Sequence, residues 1–161
     1  MRFKYSLLYI GLIVAVNYGF GVVPPLTLPG GDLWPPMSLL VGFIFVARDF
    51  AQREIGHWVI LAMLAAGGLS YLLAEPAVAV ASVAAFLVSE FADWAVYSVT
   101  RRPFAERILW SSAVGTPIDS LVFLGLIGYA SVAGVIAMTL SKMIGALLVW
   151  WLVRRREAAA Q

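Results

Sequence analysis

Two carboxylates, Glu90 and Asp93, stand in SEFADWAVYS (residues 89–98), at the end of a run that is otherwise apolar. Asp119 follows in GTPIDS and Lys142 in TLSKMIG, each again within an apolar stretch. Such groups could accept paired N–H donors from a ligand, carry protons, or serve as acid and base. At about 100° per residue, Phe86, Glu90, Asp93 and Tyr97 share one helical stripe, and Ser112, Gly115, Asp119 and Phe123 share a second. A charge at the centre of a membrane helix costs about 2.5–3.5 kcal/mol on insertion scales, so something must compensate these acids. In one reading Lys142 pairs with Asp119 or Glu90, and the cluster only fixes helix packing. In the other, three acids against one interior base leave excess negative charge, which points to a polar cavity, with Asn17 near the outer end of the first helix.

The elements that must position these groups follow from composition. The chain has 161 residues, 62% of them hydrophobic and 12% charged, with mean hydropathy +0.92, far more apolar side chain than a soluble core of this size can bury. The expected fold is an all-α integral membrane protein forming a single domain over residues 1–161. Six transmembrane helices are expected at about 4–22, 37–48, 58–74, 77–98, 108–128 and 131–153, arranged as three antiparallel hairpins. Lys and Arg collect on the cytoplasmic side of inserted helices. Arg2 and Lys4, Arg48 and Arg53, Arg101, Arg102 and Arg107, and Arg154 to Arg156 all flank the same ends, so both termini are expected in the cytoplasm. Lys142 is then the lone base within a span. The segment VVPPLTLPGGDLWPP (residues 22–36) cannot be helical throughout, because proline removes donors; it is expected to form an ordered outer loop or lid.

The basic balance is therefore topological, and no nucleic-acid partner is expected. A cleaved signal peptide is not expected either, since the first apolar run continues to Asn17 and Tyr18 without a small-residue cleavage pattern. Cysteine is absent and His57 is the one histidine, which leaves no metal site to expect. There is no G-x-S-x-G stretch and no G-x-x-x-x-G-K-[ST] loop, so neither a serine hydrolase nor self-energised ATP binding is expected. An intramembrane acid–base enzyme lacks any nucleophile or metal constellation. The expectation is a non-enzyme without cofactors.

Three segments resemble the queuosine precursor transporter family, also described as the VUT or vitamin-uptake-like family. LPGGDLWPPMSLLVGFIFVARDFAQREIG looks like the family's glycine loop, helix and D-x-x-x-E-x-x-G end, with Asp49 and Gly56 in place but Arg53 where glutamate is expected and Glu54 one residue later. LVSEFADWAVYS resembles its fourth-helix motif, with Asp93 at the family's aspartate. SSAVGTPIDSLVF resembles its serine-rich approach to Ile-Asp-Ser, although Ser111 and Ser112 occupy a region that often carries asparagine. The likeness spans roughly residues 28–128.

This resemblance implies import of 7-cyano-7-deazaguanine or its aminomethyl relative across the inner membrane, through a fold similar to substrate-binding subunits of energy-coupling-factor transporters. The alternative is such a subunit itself, needing a separate ATPase. A deazaguanine presents a ring N–H beside an exocyclic amine, two donors that one carboxylate accepts together. On this reading Glu90 and Asp119 read the base edge, and Asp93 and Lys142 form a supporting or coupling pair. Lys142, Asn17 or Tyr97 could donate to the carbonyl, and Phe86, Trp94 or Phe43 could stack on the ring. Asp49, paired with Arg48, is assigned to cytoplasmic gating. The expected partners are the deazapurine and the lipid bilayer, with self-association a further option through small-residue helix faces.

Overall fold

The structure, a computed structural model, describes residues 3–76 and 78–159. Six α-helices make up its frame: α1 (Lys4–Val22), α2 (Ser38–Ile55), α3 (Val59–Leu73), α4 (Ala79–Val99), α5 (Phe104–Leu126) and α6 (Val132–Ala159). Five stretches are long and apolar enough to cross a membrane, because Ser38–Leu73 counts as one, interrupted only by a 3-10 turn at Gly56–Trp58. Gly56 takes φ +63°, a conformation open to glycine, and there the chain reverses. The reversal is fixed at both ends of α1. Glu54, in the last turn of α2, accepts from the backbone N–H groups of Tyr5 and Ser6 at 3.1 Å each, while Ser70 near the end of α3 donates to Asn17 at 3.3 Å. A carboxylate over the unpaired donors that open α1 is favourable both as a hydrogen-bond acceptor and against the helix dipole.

Two ends of the bundle are thereby defined. Lys4, Arg53, Arg101, Arg102 and Arg154 to Arg156 are exposed at one, the basic end. The other carries a two-stranded ladder, β1 (Leu26–Thr27) with β2 (Leu33–Trp34), in antiparallel register Leu26 to Trp34 and Thr27 to Leu33. Prolines 24, 25, 29, 35 and 36 stop helix formation through this stretch, and Gly31 at φ +88° turns it. The ladder is pinned to α6, where Trp34 Nε1 donates to Ser141 at 2.6 Å, and its turn to the residue just before α6, where Ser131 donates to Asp32.

Three expectations are corrected here. The second helix does not stop at residue 48; it continues to Ile55 and buries Arg48 completely. Lys142 is therefore not the lone interior base, and among the described residues the interior holds two bases, Arg48 and Lys142, and four acids, Asp49, Glu90, Asp93 and Asp119. The fifth helix starts at Phe104 rather than 108, behind Pro103, and α6 extends to Ala159. The expected start of the fourth helix at Ala77, and the flanking role of Arg2, fall outside the described residues.

One close crossing sets the depth of Lys142. A Cβ on Gly42 of α2 would overlap the Lys142 carbonyl oxygen, and one on Gly145 would meet the backbone of Gly42 and Phe43 at 3.1 Å. Gly42→Val must push α2 and α6 apart at backbone rather than at a yielding side chain. Overpacking of this kind typically costs about 1–3 kcal/mol. A clear fall in melting temperature is expected for Gly42→Val in detergent, against little change for Gly11→Val, where the same atom meets nothing within 4 Å.

Candidate functional site

Two polar layers occupy the bundle, one above the other. The layer nearer the hairpin end lines a cavity of about 180 Å³. Its walls come from α1, α2, α3, α4, α5 and α6, including Asn17, Ser70, Phe86 and Phe123, and it reaches Phe20, Gly21, Ala74 and Glu75 at the helix ends. Inside it lies an ion pair, Lys142 Nζ to Asp119 Oδ2 at 2.5 Å. Lys142 also donates to Ser120 at 2.9 Å, and Ser89 donates to the other carboxylate oxygen, Asp119 Oδ1, at 3.2 Å. The pair is asymmetric in access: the lysine side chain is 1% exposed and the aspartate 14%, so the carboxylate is the more accessible member. On α5 the sequence puts Pro117 two residues before Asp119. Proline cannot donate to the preceding turn, which loosens the helix where the carboxylate turns inward.

The layer toward the basic end is closed. Arg48 of α2 is fully buried and faces three carboxylates: Asp49 at 2.8 Å, Glu90 at 3.5 Å, and Asp93 in direct contact. Tyr9 of α1 donates its hydroxyl to Glu90 at 3.0 Å, Ser111 of α5 donates to Asp49 at 2.8 Å, and Gln52 accepts from Arg48 at 2.6 Å. One guanidinium with five N–H groups in a planar fork can serve several carboxylates at once, which a lysine could not do. Tyr97 lies beneath, its ring 5.7 Å from Arg48 and 3.9 Å from Arg107. Four helices converge on this layer, and apolar Phe45 packs beside it against Gly115.

The stripe read from helix four thus runs through both layers. Phe86 lines the cavity; Glu90 and Asp93 turn to Arg48; Tyr97 ends the column toward the basic end. Of the residues singled out in the sequence, Asp119, Lys142, Phe86 and Asn17 come together at the cavity, and Arg48, Asp49, Glu90 and Asp93 come together below it. Glu90 does not line the cavity. The expected pairing of Asp93 with Lys142 is replaced by Asp93 with Arg48 and Lys142 with Asp119. Phe43 packs against Gly145 at the α2–α6 crossing, and Trp94 stacks edge-on with His57 at 5.6 Å, so neither ring lines the cavity. The expected pairing of Arg48 with Asp49 is present.

Tyr9, Ser89 and Ser120 contribute hydrogen bonds that the sequence did not single out. For Ser120 a signal existed, its place directly after Asp119; for Tyr9, one of three tyrosines in the first apolar run, there was none.

A family model described as "Putative vitamin uptake transporter" matches residues 56–155, which takes in α3, α4, α5, most of α6 and both members of the cavity ion pair. No curated protein and no solved structure matches the chain.

Proposed function

The chain belongs to this vitamin uptake transporter family and is a multi-pass membrane protein, and from that premise we propose that it imports a small deazapurine, 7-cyano-7-deazaguanine or its 7-aminomethyl relative. The observation that carries the reading is a cavity bearing a carboxylate and an ammonium side by side. Asp119 can accept the ring N–H and exocyclic amine of a guanine-type edge, and the neighbouring Lys142 can donate to its carbonyl. Phe86 gives a flat apolar wall and Asn17 a further amide. Drug-sized sites run to roughly 300–1,000 Å³. A space of about 180 Å³ suits one bicyclic ring better than a vitamin with long side arms.

The two layers supply the elements of alternating access. The cavity reaches the hairpin end, and the Arg48 layer seals the path to the basic end, so the described conformation is the one that loads from the hairpin side. By the distribution of Lys and Arg, the basic end and both termini face the cytoplasm of an inner membrane crossed six times. Opening inward requires the Arg48 layer to separate, with Asp49, Glu90 and Asp93 exchanging the guanidinium for water. In this scheme Glu90 and Asp93 belong to the inner seal and Asp119 to ligand recognition.

Uptake of labelled precursor by cells lacking their own importer tests the reading: expression of the chain is expected to restore accumulation, and no accumulation from well-inserted protein would count against it. Reconstituted liposomes separate a self-sufficient importer from a binding subunit, because the latter binds ligand without moving it until an ATPase partner is added. Phe86→Ala is expected to weaken binding by about two- to tenfold, the loss of one aromatic contact worth roughly 0.5–1.5 kcal/mol, read by titration of the purified protein.

A further inference from the structure

The closed layer does not balance its charge. Among the described residues one guanidinium, Arg48, meets three carboxylates, Asp49, Glu90 and Asp93, and all four side chains are fully buried. With every acid ionised the layer would hold two uncompensated negative charges out of reach of water, and a buried carboxylate without compensation takes up a proton instead. The three acids differ in what they receive. Asp93 touches Arg48 directly, and Asp49 has Arg48 and the Ser111 hydroxyl, each at 2.8 Å. Glu90 is the farthest from the guanidinium, at 3.5 Å; Tyr9 of α1 donates to its Oε2, and its Oε1 is buried with no hydrogen-bond partner among the described residues. Asp93 Oδ1 also lacks one, but its Oδ2 lies against the cation itself. The other neighbours leave this balance as it is. Lys142 of α6 is taken by Asp119 of α5, which is joined to Ser89 beside Glu90; Arg107 donates to the Tyr97 carbonyl; His57 and, on α3, Tyr71 are exposed.

We propose that Glu90 is a proton-binding site and that it couples import to protons, one proton moving inward with each ligand. The inference rests on the alternating-access reading above, in which the Arg48 layer is the inner seal. In the described conformation Glu90 holds the proton as a neutral carboxyl, and the layer closes around Arg48 with Asp49 and Asp93. When the layer opens toward the basic end, entering water accepts the proton and Glu90 is left as a carboxylate. Closing again over three ionised acids is unfavourable, so the seal re-forms once a proton returns from the hairpin side. α5 offers a polar track between the layers. Ser112, Thr116 and Ser120 stand one turn apart on it; the first two hydroxyls are buried and unpartnered among the described residues, and Ser120 accepts from Lys142 at the cavity. On the same helix Ser111 reaches Asp49, and Gly115 lies against Asp93.

Two measurements test this. Liposomes carrying the protein are given a gradient of one pH unit, alkaline inside, with the membrane potential clamped at zero and labelled 7-cyano-7-deazaguanine, which has no amine arm to respond to pH by itself. Coupling of one proton to each ligand concentrates it up to about tenfold in the wild type, and Glu90→Gln is expected to equilibrate it without concentrating it. Wild-type protein that equilibrates the ligand but ignores the pH gradient would overturn the coupling and leave the import reading standing. Wild-type protein that moves no ligand would overturn that reading and the coupling with it. The second measurement needs no ligand: melting temperature in detergent against pH. A carboxyl protonated in the folded protein and ionised in the unfolded one removes stability as pH rises. The wild type is therefore expected to lose melting temperature toward alkaline pH, and Glu90→Gln, an uncharged side chain of the same shape, to stay folded and lose less. Parallel curves for the two proteins, or a Glu90→Gln protein that does not fold, would overturn the proton site.

Discussion

Arg48→Met is expected to destabilise the protein more than any other single substitution in the bundle. The guanidinium is fully buried and, among the described residues, is the one cation in contact with Asp49, Glu90 and Asp93, which come from two different helices. Removing one member of a buried ionic group leaves the others uncompensated in low dielectric, typically at a cost of about 3–5 kcal/mol. Here three carboxylates lose their partner together. The expected outcome is a large drop in melting temperature in detergent, or failure to accumulate in the membrane. Arg48→Lys should rescue only in part, since an ammonium lacks the fork that reaches three acids. Combining Arg48→Met with Asp49→Asn, Glu90→Gln and Asp93→Asn removes the unpaired charges and is expected to recover folding while sacrificing transport. A single Arg48→Met protein as stable as the wild type would show that the layer is not an ionic lock.

The second large effect concerns the ligand. Asp119→Asn keeps the shape and one acceptor oxygen but replaces the other acceptor with a donor, which opposes the amine edge of a guanine-type ring. Hydrogen bonds to charged groups contribute roughly 1.5–3 kcal/mol, so affinity is expected to fall about 10- to 150-fold. Stability should suffer less than in Arg48→Met, because Asp119 is 14% exposed and the ammonium it leaves still donates to Ser120 at 2.9 Å. Lys142→Met is a different case: it strands the carboxylate and is expected to lower both affinity and stability. The contrast separates recognition from packing within one ion pair.

Much of this arrangement was legible in periodicity. The stripe Phe86, Glu90, Asp93, Tyr97 follows from helical geometry alone, and the structure turns Phe86 to the cavity and the other three to Arg48 of α2. The end of α2 was not legible. An arginine after an apolar run reads as the headgroup boundary, and hydropathy cannot distinguish that from an arginine sunk among carboxylates of α4, some forty residues later in the chain. The burial of Arg48 depends on Glu90 and Asp93, a non-local fact.

The exchange of ion-pair partners has a similar origin, though here a signal was present. α5 and α6 form a hairpin turning near Tyr129, with Asp119 ten residues before it and Lys142 thirteen after. Antiparallel helices pair positions at similar distances from their turn, which sets Lys142 beside Asp119 and beyond the reach of Asp93. Tyr9 could not be found this way. Its hydroxyl reaches Glu90 across a helix pair whose facing register only the packed bundle determines.

Calorimetric titration of 7-aminomethyl-7-deazaguanine into purified wild-type and Asp119→Asn protein tests the central claim most directly. Saturable binding at one site in the wild type, weakened at least tenfold in a variant that remains folded, is the predicted result. Equal affinity in the two proteins, or no binding by folded wild type, would contradict the claim that the Lys142–Asp119 pair forms the ligand site.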